Sequence, residues 1–281
     1  TSRGWLGFSE IAGSDSVWSL NQSTGKLELV EIESVIHSPY SGEMIRLQSL
    51  QIDLLVTPEH RLLLAPSRRG LSVEDVPASN FEWQTARKAY GARRVCQVAG
   101  ASASNSQPAH SLDFLLLCVA AITDGCLHWH KSYDSGNIVF AVSKQRKKDF
   151  LENLFNRLGI GFTSCTDKPS RLAAGQHNVT DYCLPADISK RVRDVVTSKK
   201  HIPLEWLTYP PETLKALLDA YIFFDGHVDD RDRCTGKTIC SVIEWNRDAL
   251  QAMSVLCGQR AISRDEVRSP GEAFSRQYPE S

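Results

Sequence analysis

The period of apolar positions along this chain changes near residue 110. Before that point, short runs of Val, Ile and Leu alternate with turn-forming clusters. Val17–Leu20, Lys26–His37, Met44–Leu50 and Asp53–Ala65 are separated by Ser23-Thr24-Gly25, Pro39-Tyr40-Ser41-Gly42 and similar breaks. Runs of this length between turn residues predict strands, so residues 1–66 read as all-β. Residues 67–100 are mixed and basic, with Arg68-Arg69, Arg87-Lys88 and Arg93-Arg94. Gly100–Gln107 is small and polar, the composition of a linker.

From Ser111 onward the pattern becomes helical. Ser111 is suited to cap a helix over Leu112–Thr123, apolar nearly all round and therefore expected to be buried on several sides. It stops at Asp124-Gly125. Asn137–Ser143 predicts a strand. Gln145–Leu158 predicts an amphipathic helix closed by Gly159, with Phe150, Leu151, Leu154, Phe155 and Leu158 on one face. The same order then recurs. Pro210-Pro211-Glu212 opens a helix that runs through Leu214–Phe224 and stops at Asp225-Gly226. Thr238–Ile243 predicts a strand, and Asn246 is suited to cap a helix to Leu256 with Gly258 behind it. Fourteen residues separate Asp124 from Ile138 and Asp225 from Ile239; 35 separate Asp124 from Gly159 and 33 separate Asp225 from Gly258. One helix–Asp-Gly–strand–helix unit is therefore present twice, an internal repeat.

Composition narrows the class. With 281 residues and 42% apolar content the chain can bury one large core or two modest ones, which excludes disordered and fibrous proteins. The longest apolar run, Leu115–Ile122, has the length of a core helix and is too short to cross a membrane. No basic-then-apolar start reads as a signal peptide, so a soluble, cytoplasmic chain with no membrane partner is expected; a monomer is the expected state. Balanced charge, 32 basic against 33 acidic residues, excludes a uniformly positive surface but leaves nucleic acid open, because charge can be sorted by face. Eight cysteines are scattered without a CxxC pair and read as reduced thiols. Cys126, His128 and His130 alternate along one strand face, but a fourth ligand is not evident, and zinc is not expected.

The repeat carries the chemistry. If the two apolar helices pack side by side about a pseudo-twofold axis, Asp124 and Asp225 meet at one end, where helix C-termini already carry partial negative charge. Two carboxylates and carbonyl oxygens at one point repel unless a cation joins them, and hard oxygen donors suit Mg²⁺ or Ca²⁺. Such a site suits phosphodiester hydrolysis. A lone Asp-Gly reads first as a helix terminator; two in matched contexts favour function.

The segments LLLCVAAITDGCL (115–127) and LLDAYIFFDGHVD (217–229) resemble the two motifs of a single-chain LAGLIDADG homing endonuclease. The first keeps Leu117, Asp124 and Gly125; the second keeps Leu218, Ile222, Asp225 and Gly226. Where the family has small residues at the helix crossing, Ala220 fits; Val119 is larger, and Ala120 can take the contact. Lys199-Lys200-His201-Ile202-Pro203 is similar to the Lys-x-Ile-Pro segment of intein-borne members. The resemblance implies Asp124 and Asp225 as metal ligands with Mg²⁺ or another divalent cation, and Lys200 beside the attacked phosphate. The bland reading of Lys200 is a solvated loop lysine. By spacing, a matching lysine of the second half falls beyond residue 281, and Lys237 is a weak substitute. Double-stranded DNA is the implied partner, contacted from the exposed sheet face by His128, His130, Lys131, Lys144, Arg146, Arg231, Arg233, Lys237 and Arg247. The run Lys144–Lys148 opens a helix with positive charge, against the helix dipole, which hints at a polyanion.

The front of the chain resembles the Hint module of inteins. The carrying residues are Thr57-Pro-Glu-His60-Arg after Ile52-Asp-Leu-Leu-Val, and Thr1-Ser-Arg-Gly-Trp-Leu-Gly-Phe-Ser-Glu10 followed by Asp15-Ser-Val-Trp18. The resemblance implies that Thr57 and His60 activate a peptide bond for an acyl shift, a task for which a hydroxyl and an imidazole are suited. No cysteine precedes Cys96, and no Asn lies in the last 30 residues, so splicing is not expected from these residues alone. The expected architecture is α+β: a partial Hint β-domain over 1–100, a linker over 101–107, and a pseudo-twofold LAGLIDADG αββαββα-type domain with a DNA-binding β-saddle over 108–281, its repeats at 111–203 and 204–281. The expected function is a metal-dependent, site-specific double-strand DNA endonuclease derived from or part of an intein. The alternatives are a self-processing intein module with a decayed endonuclease, or a catalytically silent, maturase-like nucleic-acid binder.

Overall fold

The structure, a computed structural model, describes residues 1–48, 53–66, 76–92, 94–96, 99–102, 107–130, 135–169, 178–229, 236–239, 243–259 and 261. Helix and strand mix in an α+β arrangement, with the strand-rich part first.

In the front part, β1 (Ser16–Asn21) and β2 (Lys26–Glu31) form an antiparallel hairpin. The Asn21 side-chain oxygen accepts from the Ser23 N–H, and Gly25 at φ 65° completes the turn. The strand expected over Lys26–His37 ends at Glu31, because its partner ladder ends there, at Ser16. β3 (Ile45–Gln48) pairs with β4 (Asp53–Val56), with Arg46 and Asp53 joined across them at 2.8 Å. The single run expected over Asp53–Ala65 is broken in two. Pro58 has no N–H to give to a ladder, and the chain turns over Thr57–His60 before β5 (Arg61–Pro66). β5 is the middle strand between β6 (Glu82–Thr85) and β7 (Arg94–Cys96), with the single turn α1 (Ala86–Ala89) after β6. Several large apolar side chains here stay exposed, Trp5, Phe8, Ile36, Leu55 and Tyr90 among them.

The main core belongs to the second part. α2 (Leu112–Thr123) has the expected bounds, and the Ser111 hydroxyl accepts from the Phe114 N–H as its cap. β8 (Gly125–His130) and β9 (Ser135–Val142) follow, then α3 (Gln145–Leu158), closed by Gly159 at φ 63°. β10 (Thr163–Pro169), β11 (Asn178–Cys183) and α4 (Ala186–Val196) come next, and the sheet order is β10-β11-β9-β8, every pair antiparallel. Buried Ser189 of α4 accepts from the Ile138 N–H at 3.0 Å, which ties that helix to β9.

α5 (Pro211–Asp225) leads into the hairpin of β12 (Gly226–Asp229) and β13 (Gly236–Ile239), and α6 (Glu244–Leu256) follows. Of the strand expected over Thr238–Ile243, Thr238 and Ile239 lie on β13 and Ile243 is the N-cap of α6; residues 240–242 lie outside the described set. α2 and α5 pack against each other at the centre. Leu115, Leu117 and Cys118 of one and Leu214 and Leu217 of the other have no exposure, and each such Leu contributes about 2 kcal/mol of burial. Ala120 and Ala220 are also buried.

Residues 100–102 sit between the two parts. The Leu27 N–H donates to the Gly100 carbonyl at 2.9 Å, the Ser102 N–H donates to the Leu27 carbonyl at 2.8 Å, and the Ala101 N–H donates to the Leu256 carbonyl at 2.7 Å. Ala101, inside the stretch whose composition reads as a linker, is buried. Among the described residues no helix is long and apolar enough to cross a membrane.

Candidate metal-binding and catalytic site

Both aspartates stand where their helices end, for the same local reason. Asp124 is the C-cap of α2, with its N–H donating to the Ala120 carbonyl at 2.9 Å; Asp225 is the last residue of α5. Each is followed by a glycine over which the chain doubles back onto the helix. A Cβ on Gly125 would lie 2.8 Å from the Ala121 Cα and carbonyl oxygen, and one on Gly226 would lie 2.6 Å from the Ile222 oxygen. Gly226 has φ −107°, so space and not backbone conformation demands glycine there. The two Asp-Gly steps are thus alike in three dimensions as well as in sequence.

The structure brings the two carboxylates within electrostatic reach of each other. Burial pushes the Asp225 carboxyl above its usual value, the negative charge of Asp124 adds to that push, and Lys147 and Lys200 pull the other way. Asp124 is bound directly: the Lys147 Nζ donates to its Oδ2 at 2.6 Å. Asp124, Lys147 and Lys200 are thus all near enough for their charges to act on Asp225, and Lys147 is in direct contact with Asp124.

Lys147 comes from the first turn of α3, which reaches the end of α5. Phe150 packs against Phe223 and Phe224 with ring centroids 5.0 and 5.3 Å apart, and the Lys147 Nζ stands 5.6 Å from the Phe224 ring. In the sequence Lys147 is one letter of a basic run. Its spacing of three, four and seven residues to Phe150, Leu151 and Leu154 is the signal that it borders the apolar face of the helix.

The donor set fits a hard divalent cation. Mg²⁺ is commonly held by one or two carboxylates, with water and substrate phosphates filling the remaining positions. Asp124 and Asp225 supply that number, and among the described residues no group of three His, Cys, Asp or Glu side chains gathers into a protein-only metal cage. Cys126 and His128, on one face of β8, are both exposed.

Lys200 lies half-buried on the loop between α4 and α5, with its backbone at φ 56°. Thr57 and His60 sit at the two ends of the turn joining β4 to β5, where the His60 N–H donates to the Thr57 carbonyl at 3.0 Å; Thr57 is half-buried and His60 exposed.

The DNA-contact candidates do not all lie on strands. His128 and His130 are on β8 and Lys237 is on β13, but Lys144 is the N-cap of α3, Arg146 is in its first turn, and Arg247 is on α6. The latter three follow strands closely in sequence, and the chain has already turned into a helix where they occur. Arg146 is exposed and stacks on Phe223 at 4.6 Å. Lys237 is paired with Asp219 at 2.8 Å, and Arg247 is engaged with Glu244 at 3.0 Å and Asp248 at 3.1 Å. Lys131, Arg231 and Arg233 lie outside the described residues. Asn246 does not cap α6. Ile243 holds that position, and the Asn246 side chain reaches the loop that carries Lys200.

No family model matches the chain. An ATP-dependent Clp protease proteolytic subunit from Chlamydomonas moewusii is 32% identical over 62 residues, which is 22% of this chain and 6% of that protein. Among solved structures, full-length DUF199/WhiA from Thermatoga maritima is similar at 15% identity and a TM-score of 0.23, over 53% of this chain and 57% of that one. The chain spans less than two thirds of either, and neither likeness is extensive enough to assign a family or a fold.

Proposed function

We propose that the chain is a metal-dependent DNA endonuclease of the LAGLIDADG kind, with a partial Hint-type domain over residues 1–100. The observation that carries this reading is the meeting of Asp124 and Asp225 at the ends of two packed helices, with Lys147 and Lys200 beside them. A matched pair of helix-end carboxylates, each followed by a glycine pressed onto its helix, is the feature that supports a cation site, with Lys147 compensating part of the charge.

Asp124 and Asp225 hold the divalent cation, and Mg²⁺ is the first choice. When bound, the ion stabilises charge on the attacking and leaving oxygens of a phosphodiester. The chain's own groups do the rest. Lys200 orients the scissile phosphate and offsets the charge that develops on it. Lys147 fixes the Asp124 carboxylate and limits repulsion between the two acids. Exposed Arg146 and Lys144, at the start of α3, contact flanking phosphates of double-stranded DNA. The Asp124–Lys147 pair and the Lys200 charge acting on Asp225 favour a working nuclease over a silent, maturase-like binder. In the front part, the Thr57–His60 turn supports the Hint-type reading, and Thr57 and His60 are the residues that would polarise a peptide bond in a self-processing form.

The test is cleavage of a plasmid library with random inserts, scored as linear product with Mg²⁺ or Mn²⁺ against EDTA. Asp124→Asn and Asp225→Asn are each expected to lower the rate about a hundredfold or more. Metal-independent cutting, or unchanged cutting by both variants, overturns the reading.

A further inference from the structure

The loop between α4 and α5 holds a conformation that side chains other than glycine seldom adopt. Thr197 is at φ 59° and Lys200 at φ 56°. What holds the loop there comes from the first turn of α6. The Asn246 Nδ2 donates to the Lys200 carbonyl at 2.9 Å, and its Oδ1 accepts from the Ile202 N–H at 2.8 Å. The Trp245 Nε1 donates to the Ile202 carbonyl at 2.9 Å, and the Trp245 ring stacks on His201 at 5.0 Å, 12° from parallel.

Asn246 is 1% exposed. A carbonyl on one side and an N–H on the other demand a group with one donor and one acceptor, which is what a primary amide offers and what a carboxylate or an alkyl group lacks. Asn246 is also the third residue of α6, as Lys147 is the third residue of α3. In the first repeat that position grips an aspartate; in the second it grips the backbone of a lysine.

We propose that Asn246 is the positioning residue for Lys200: the second repeat uses its buried amide to fix the left-handed turn that presents the lysine to the substrate phosphate. This rests on the reading of Lys200 as the assisting lysine. Trp245 supports the same grip by fixing His201 and Ile202, the two residues after the lysine.

The experiment uses the full chain with Asn246→Ala, Asn246→Asp, Lys200→Ala and the Lys200→Ala/Asn246→Ala double variant. Two readouts are followed: Mg²⁺-dependent cleavage of the selected DNA, resolved into kcat and KM, and the rate at which trypsin cuts the Lys200–His201 bond. Asn246→Ala is expected to lower kcat about tenfold with KM unchanged, and to speed tryptic cutting by a similar factor, because one buried and one half-buried hydrogen bond are lost. On the Lys200→Ala background it should add no further loss of kcat, since it acts only through that lysine. If thermal melting shows Asn246→Ala unfolded, Asn246→Asp, which keeps the acceptor for Ile202, carries the same comparison. Losses that multiply in the double variant, or wild-type kcat and wild-type tryptic cutting in the Asn246 variants, overturn the proposal. Wild-type cutting by Lys200→Ala overturns the role of the lysine itself, and faster proteolysis in the Asn246 variants would then mark a structural clamp alone.

Discussion

The Lys147 Nζ lies 2.6 Å from the Asp124 Oδ2, and the two side chains are 11% and 18% exposed. The lysine belongs to α3 and the aspartate to the end of α2, while the same ammonium faces the Phe224 ring of α5. Elements from both repeats thus converge on one charge pair, whose ammonium also offsets the charge acting on Asp225.

Lys147→Met keeps the length of the side chain and removes its charge. Breaking one side of a mostly covered ion pair costs about 3 kcal/mol. The variant is expected to melt at a lower temperature than the wild type in EDTA, with part of the loss recovered on adding Mg²⁺. Calorimetry with and without the ion measures this, and a loss unaffected by the ion argues against a cation at the two acids.

Asp225 sets a pH dependence of defined sign. Burial, and after it the charge of Asp124, holds its carboxyl above the usual 3.8. The folded chain therefore binds that proton more tightly than the unfolded chain, so stability declines as pH rises from about 3.8 through the raised value. Asp225→Asn is expected to melt above the wild type at pH 7 in EDTA, with the difference closing below pH 3.8. Melts across that range decide it, and a difference that grows toward acid reverses the sign.

Gly125→Ala and Gly226→Ala press a methyl group against backbone that cannot yield, at 2.8 and 2.6 Å. Each is expected to destabilise the fold by about 2–3 kcal/mol and to weaken Mg²⁺ binding, because relief of the clash moves the neighbouring aspartate. Urea unfolding and isothermal titration with Mg²⁺ check the two effects separately. Stability equal to wild type at either position contradicts the close approach.

Arg146 and Arg247 should differ in their share of DNA affinity. Arg146→Gln removes an exposed cation resting on Phe223 and is expected to lower the slope of log K against log salt by about 1. Arg247 already serves Glu244 and Asp248, so Arg247→Gln should change the slope less. Binding titrations between 50 and 200 mM salt separate the two, and equal slopes would refute the distinction.

Much of the site was legible because its signals are local. Ser111 and Gly159 mark helix ends by capping chemistry, and the bounds of α2 and α3 follow from them. The apolar girth of α2 and α5 implied central burial, and two buried neighbours ending in Asp-Gly implied that the acids meet. β10, β11 and α4 were not legible. Thr163–Pro169 is polar without alternation, and its place in the sheet is set by β11 and β9, not by its own composition. In the sequence Lys147 belongs to a basic run that hints at a polyanion, because its partner Asp124 is 23 residues away. Asn246 looked like a cap because an Asn before an apolar run usually is one, while its actual partners, at Lys200 and Ile202, lie 46 and 44 residues earlier.

Gly100 and Gly258 touch backbone to backbone, so that a Cβ on the first would stand 3.1 Å from the second's nitrogen. Ala101 beside them is stitched to the last turn of α6, and its neighbours are stitched to β2. Loss of the β1–β2 hairpin would therefore strip Gly100 and Ser102 of their Leu27 partners, and a change in the last turn of α6 would reach the hairpin through Ala101. The weakest-looking stretch of sequence is the seam through which the two parts inherit each other's changes.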